Sequence, residues 1–127
     1  MLIISDDHTR PTPVKKIIPF LLGELKAGGV ADSQISVIFA LGTHKPMSET
    51  EMRERAGVVS ERIRLCNSEF RDPRGLAYCG KAPDGVPVSV DKRVADADFK
   101  IGIGSIIPHP ECGWGGGAKI IYPGVAS

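Results

Sequence analysis

Side chains that can do chemistry concentrate in three short segments of this sequence. The segment DDHTRPTP (residues 6–13) combines carboxylates, an imidazole, hydroxyls and a guanidinium, and GTHKPMS (residues 42–48) contains a second histidine, His44. The segment PHPECGWGGGAK (residues 108–119) carries His109 near one end and Lys119 at the other. Because imidazole is the side chain whose unperturbed pKa lies near neutrality, these residue types suit acid–base chemistry on a small polar molecule.

The first two segments also have a structural interpretation. Asp7 and Thr9 can hold a polar ligand while Arg10 pairs with an anion, but the same residues can form an Asx turn and a helix cap beside a solvated arginine. His44 can be an acid–base catalyst or an inert loop histidine. Since all three histidines, including His8, follow predicted strands by a few residues, the two interpretations of His44 carry about equal weight.

The third segment is a glycine loop. Gly115–Gly117 allow backbone amides to approach a ligand closely, and Lys119 can act as a charge partner or as a nucleophilic amine. The nucleoside-triphosphate pattern G-x-x-x-x-G-K-[ST] is not met, because Ala118 and Ile120 stand where the second glycine and the hydroxyl residue belong. The dinucleotide fingerprint is not met either. A flexible surface turn is the alternative, although Trp114 is an unusual residue for one.

Strand patterns surround these segments and must position them. Apolar and β-branched runs predict buried strands, and a Pro-Asp-Gly turn between two further runs predicts a β-hairpin. The predicted strands are Leu2–Ser5, Gln34–Gly42, Arg62–Asn67 and Phe99–Ile107, and the hairpin turn is Pro83–Gly85.

Two helices are predicted between the strands. Apolar residues recur at helical spacing from Val14 to Leu25, with Thr12 as the expected N-cap and Ala27–Gly29 as the end. Pro19 falls inside this pattern, so the helix is expected to be kinked or to start late. A shorter helix is expected to start at Ser48, where Glu51 completes a capping box.

The alternation of strand and helix predicts parallel pairing. We therefore expect one α/β domain over residues 1–127, a three-layer Rossmann-like fold with a mostly parallel sheet and a β-hairpin insertion. Ligands of such sheets bind beyond the carboxyl ends of the strands, so all three histidines are expected on one edge of the sheet.

Composition limits the possible partners. The formal net charge of +1 gives no electrostatic case for nucleic acid or an anionic membrane as a partner. Cys66, Cys79 and Cys112 are odd in number, widely spaced and without a C-x-x-C pair, which is typical of reduced thiols in a cytoplasmic protein. His109 and Cys112 together supply too few ligands for a zinc site.

Taken together, DHTRPTP, GTHKPMSETE and PHPECGWGGGAKIIYPGVAS resemble the N-terminal half of the lactate racemase family, whose members are nickel-pincer-nucleotide enzymes. The resemblance covers nearly the whole chain. It implies an isomerase that racemises or epimerises a small 2-hydroxy acid. The implied cofactor is a nickel pyridinium-3,5-bisthiocarboxylate mononucleotide, in which two sulfur-bearing arms and a ring carbon hold the nickel.

The resemblance also implies roles for individual residues. His44 and His109 match the two general acid–bases, one for each face of the substrate, and Lys119 matches the lysine that tethers the cofactor through a thioamide. The segment from Asp7 to Arg10 matches the part that contacts cofactor and substrate. With the glycine loop, the expected cofactor-binding residues are Asp7, His8, Thr9, Arg10, Gly115, Gly116, Gly117 and Lys119.

The family's nickel-ligating histidine would lie beyond Ser127, so no metal ligand is expected within these residues. The chain is accordingly expected to be part of the N-terminal half of a larger two-domain enzyme, inactive without the C-terminal domain. It also has GWGGG at Gly113–Gly117 where the family commonly has GFSGG. Two alternatives remain: a non-catalytic module that binds a mononucleotide or small anion in the same crevice, and a fragment whose relatives perform other hydride or proton transfers there.

Overall fold

The computed structural model describes residues 1–127. Its main sheet contains four strands in the order β3-β2-β1-β6, and every neighbouring pair is parallel. Two small antiparallel pairs, β4-β5 and β7-β8, lie outside it. The strands are β1 (Leu2–Asp6), β2 (Ser36–Ala40), β3 (Arg64–Asn67), β4 (Leu76–Lys81), β5 (Pro87–Asp91), β6 (Lys100–Ile103), β7 (Pro108–His109) and β8 (Gly113–Trp114). The helices are α1 (Val14–Ala27), α2 (Glu49–Ala56) and α3 (Lys92–Asp96).

Both faces of the main sheet are covered. Alternate residues of the central strands, such as Ile3 and Phe39, pack with α1 and the region of α2 in the larger hydrophobic cluster. Their neighbours, such as Ile4, pack on the other face with Val94 of α3 and Val125 near the C-terminus. This double burial explains why the strands are continuous apolar runs in the sequence. The expected α/β class, with a mostly parallel sheet and a hairpin, is confirmed.

The helix starts differ in how well the sequence predicts them. Ser48 caps α2, and its side chain and that of Glu51 form the expected capping box. Thr12 does not cap α1: Pro13 occupies the N-cap position without a side-chain cap, and the Thr12 hydroxyl bonds Asp6 and Ser105 instead. The helix also runs from Val14 through Pro19, so of the two expected effects of Pro19, a kink or a late start, the late start is wrong.

The last predicted strand is too long. It ends at Ile103, which pairs with Ser5 of β1, and Gly104 begins a loop that leads to the short pair β7-β8. The apolar residues Ile106 and Ile107 therefore lie outside the sheet, and Ile106 is exposed. Apolar character alone does not tell a strand residue from a loop residue that follows it.

The hairpin is anchored by a buried carboxylate. Asp91, at the end of β5, accepts hydrogen bonds from Arg93 and from the backbone N–H of Glu69. Burial raises the pKa of Asp91, but these hydrogen bonds outweigh it and hold the pKa below its usual value. Backbone bonds between Ser127 and Ser89 fix the C-terminal residues to the same strand.

No helix in the structure has the length and apolar character that a membrane span requires.

Candidate functional site

The connections of the sheet diverge at the carboxyl end of β1. From β1 the chain passes through α1 to β2 on one side, whereas β6, on the other side, is reached only after β3, the hairpin and α3. Such a switch point is where open α/β sheets bind ligands. A crevice of about 190 Å³ opens here, and its wall includes Asp7, Arg10, His44, His109, Gly116 and Lys119.

Asp7 orients one of the histidines. Its side chain is almost fully buried, and His44 Nδ1 lies 2.5 Å from Oδ2. The N–H and the hydroxyl of Thr9 both donate to Oδ1, at 2.9 and 2.5 Å. Burial raises the pKa of Asp7, but the hydrogen bonds from Thr9 and His44 outweigh it and keep the pKa below its ordinary range. The ionised carboxylate therefore places the proton of His44 on Nδ1 and leaves Nε2 as the acceptor nitrogen.

His109 has the opposite surroundings. Arg10 Nη2 lies 3.2 Å from His109 Nε2, and the backbone N–H groups of Glu111 and Cys112 lie 3.3 and 3.2 Å from Nδ1. A neutral imidazole accepts at one nitrogen only, so these donors compete for it. Desolvation and the positive charges of Lys119 and Arg10 lower the pKa of His109 below its ordinary value. His109 is therefore held neutral near pH 7.

The glycine loop brings Lys119 to the crevice. Lys119 lies in a short 3-10 helix, Gly117–Ile120, and it is part of the crevice wall. Gly116 has φ +69°, and a Cβ there would lie 2.6 Å from the carbonyl oxygen of Ser105. The backbone at Gly116, just before the short helix that carries Lys119, thus lies so close to the loop after β6 that only glycine fits there.

The remaining predicted site residues are divided between the crevice wall and positions outside it. Gly115 and Gly116 line the crevice, whereas Gly117 does not. Thr9 reaches the site only through its bonds to Asp7. His8 is exposed, lies 4.0 Å from Glu51 of α2, and is not part of the crevice wall.

A buried polar network was not predicted from the sequence. Asp6 pairs with Arg55 of α2, and its second oxygen accepts the hydroxyl of Thr12, which lies 2.7 Å from the hydroxyl of Ser105. Asp6 and Ser105 also line the crevice. The sequence holds a signal for Asp6, which is an acid at the end of a predicted strand. It holds none for Arg55, which sits in a strongly polar helix.

Two cationic side chains in the crevice wall have no acidic partner. Neither Arg10 nor Lys119 is within ion-pair distance of a carboxylate, whereas Arg55 has one. No group of three or more His, Cys, Asp or Glu side chains is arranged to hold a metal ion. The arrangement can therefore bind an anion, exchange protons at two imidazoles and offer one amine for attachment.

Known proteins share this arrangement of sequence and fold. The lactate racemase N-terminal domain family matches residues 1–127. Lactate racemase of Thermoanaerobacterium thermosaccharolyticum is 30% identical over 128 residues, and that of Lactiplantibacillus plantarum is 35% identical over 130 residues. Both alignments cover 100% of this chain and 30% of the relative, so the chain spans about 30% of the length of these relatives.

Two solved structures superpose on this chain. The lactate racemase apoprotein of T. thermosaccharolyticum superposes with a TM-score of 0.90 at 31% identity, covering 99% of this chain and 30% of that one. A Thermotoga maritima protein superposes with a TM-score of 0.84 at 27% identity, covering 98% of this chain and 33% of that one. The family match over the whole chain, together with these relatives, shows that this chain belongs to the lactate racemase N-terminal domain family.

Proposed function

We propose that this chain supplies the acid–base residues and the cofactor attachment point of a nickel-dependent racemase or epimerase of 2-hydroxy acids. One observation carries the proposal: His44, His109 and Lys119, from segments far apart in sequence, line one crevice. The relatives named lactate racemase give the reaction class. The proposed catalytic residues are His44 and His109.

The two histidines divide the proton chemistry. When the carbinol carbon of a 2-hydroxy acid loses hydride, its hydroxyl must lose a proton at the same time. His44 accepts that proton at Nε2, because Asp7 holds Nδ1, and His109 is available as the neutral base from the other segment. The planar keto acid can take hydride back on either face, so two bases allow either enantiomer to be substrate and product.

The substrate carboxylate fits the unpaired cations. Arg10 has no carboxylate partner, and the one hydrogen bond of its side chain is to His109, where it competes with the two backbone donors. A bound carboxylate gives the guanidinium two acceptors and removes a donor from Nε2 of His109. Substrate binding would thus end the competition at the His109 ring between Arg10 and the two backbone donors.

The residues also fit the proposed cofactor, the nickel-pincer nucleotide. In this cofactor two sulfur-bearing arms and a ring carbon hold the nickel, so the residues of this chain would bind its organic part. Lys119 would hold it covalently, and Gly115 and Gly116, which line the crevice, would let it approach the backbone. When bound, the cofactor supplies a reversible hydride acceptor.

A paired mass and activity measurement tests this function. We expect the full-length protein, produced together with the cofactor's biosynthetic enzymes, to carry a covalent adduct on Lys119 and to interconvert the enantiomers of a 2-hydroxy acid. A Lys119→Ala variant should lose both properties, and Lys45→Ala should keep them. Reversible binding of a mononucleotide or anion, with no adduct and no turnover, would instead support a non-catalytic binding module.

A further inference from the structure

One short turn carries the partners of both histidines. Asp7, which bonds His44 at 2.5 Å, and Arg10, which contacts His109 at 3.2 Å, are three residues apart in the turn that follows β1. A small rotation of this turn would therefore move the supports of both acid–base groups at once.

Arg55 of α2 holds this turn at both ends. Its Nη2 donates to Oδ1 of Asp6 at 2.5 Å, just before Asp7, and its Nη1 donates to the carbonyl oxygen of Arg10 at 3.0 Å. The two side chains of the ion pair are only 12% and 16% exposed, so solvent screens the contact little. A planar guanidinium can hold two such acceptors at a fixed spacing.

The same carboxylate links the turn to β6. A hydroxyl has one proton, so if Thr12 donates to Oδ2 of Asp6, it accepts from the hydroxyl of Ser105. Ser105 lies just after β6, at the start of the loop that leads to His109 and Lys119. Arg55 is thus the first member of a chain of polar bonds that links the turn after β1 to the loop after β6.

Arg55 occupies this place at a cost. Its Nε is buried and has no hydrogen-bond partner. An apolar side chain would avoid that unsatisfied group, and replacing a buried ion pair by apolar residues is often neutral or stabilising. We propose that Arg55 is a positioning residue, which fixes the Asp6–Arg10 turn and through it the orientation of His44 and His109. The inference rests on the proposed acid–base roles of the two histidines.

Histidine ring NMR tests the inference without relying on activity. Three variants of the full-length protein are compared with the wild type: Arg55→Met, Arg55→Lys and the control Arg53→Met, which removes an exposed arginine of the same helix. In the wild type the ring nitrogens of His44 should report a proton on Nδ1. In Arg55→Met they should move toward the mixture of tautomers of a free histidine, and Arg55→Lys, which can hold Asp6 but not Arg10 as well, should fall between. Arg53→Met should match the wild type.

Kinetics give the second readout. Arg55→Met should lower kcat by about 10²-fold with KM little changed, because misplaced groups lose transition-state contacts more than binding contacts. A folded Arg55→Met protein with wild-type ring signals and kcat would overturn the inference. If Arg55→Met does not fold, Arg55→Lys decides, and wild-type ring signals in that variant would also overturn it. A wild-type protein without racemase activity would refute the proposed function, while the ring signals would still test Arg55.

Discussion

The two histidines of the crevice face opposite charges, and this asymmetry suits their proposed task. The carboxylate of Asp7 bonds Nδ1 of His44 and orients its ring. Cations surround His109 and favour its neutral form. A racemase that acts on both enantiomers needs a base for each face of its substrate, and the two histidines would meet that need with different hydrogen-bond partners.

Replacing the carboxylate of Asp7 should reverse the tautomer of His44. The amide of Asp7→Asn can donate to Nδ1, which forces the proton onto Nε2 and removes the lone pair that accepts the substrate proton. We expect racemase activity to fall by about 10²-fold or more, as when the carboxylate behind a catalytic histidine is lost. A chiral assay measures this effect. Asp98→Asn, at a position outside the crevice wall, is the control, and equal activity of the two variants would contradict the role of Asp7.

Removing the charge of Lys119 should raise the pKa of His109. Desolvation lowers that pKa most, but Lys119 and then Arg10 are the largest charge contributions, and a positive neighbour disfavours the imidazolium. In the cofactor-free protein, the NMR titration midpoint of His109 should be higher in Lys119→Met than in the wild type. Lys26→Met, at the far end of α1, should leave it unchanged. A midpoint that stays in place in Lys119→Met would show that the amine does not act on this ring.

At the scale of elements, two neighbouring glycines differ in the space available to a larger side chain. Gly116 and Gly117 both have positive φ, at +69° and +53°. An added methyl at Gly117 meets nothing within 4 Å, so Gly117→Ala should cost only the backbone strain of about 1–2 kcal/mol. Gly116→Ala adds a clash with the carbonyl of Ser105 and should lose clearly more free energy of unfolding. Urea denaturation compares the two, and equal losses would mean that the close passage at Gly116 relaxes without cost.

Local sequence signals predict the elements that have local causes. The capping box at Ser48, the hairpin turn at Pro83–Gly85 and the apolar runs of β1 and β2 all depend on neighbours in sequence, and each is confirmed. The predicted end of β6 is wrong, because the apolar run continues past Ile103 into a loop that does not pair with β1. The predicted cap at Thr12 is wrong because the partners of its hydroxyl, Asp6 and Ser105, come from other elements.

At the scale of the molecule, the sequence predicts that the two histidines of the site lie close together, but it does not predict the ion pair that lies behind them. Parallel strands present their carboxyl ends on one edge, and this rule is enough to predict that His44 and His109 lie together. The rule says nothing about which side chains lie beneath them. Asp6 and Arg55 are 49 residues apart, and only the packing of α2 against α1 brings them into contact.

The stability of the molecule should fall steeply in acid. Asp7 and Asp91 both have a pKa below the ordinary aspartate value. At pH values between the folded and the unfolded pKa, the unfolded chain therefore binds protons that the folded chain does not. Their stabilisation is complete above the unfolded pKa of about 4 and is lost as pH falls through the folded values.

Urea unfolding at a series of pH values measures this dependence. Asp7→Asn and Asp91→Asn should each be less stable than the wild type at pH 7 and should each lose less stability on acidification. Parallel curves for the wild type and both variants would mean that other groups control the acid limit.

Finally, the pairing of β1 with β6 joins residues nearly one hundred positions apart, Leu2–Ser5 with Lys100–Ile103. Because Arg10 follows β1 and Lys119 lies beyond β6, this pairing brings the two cations to one crevice. If Lys119 is the attachment point proposed above, a chain with β6 detached from β1 would present the lysine without the crevice around it. Attachment of the proposed cofactor would then require a chain whose first and last sheet strands had already paired.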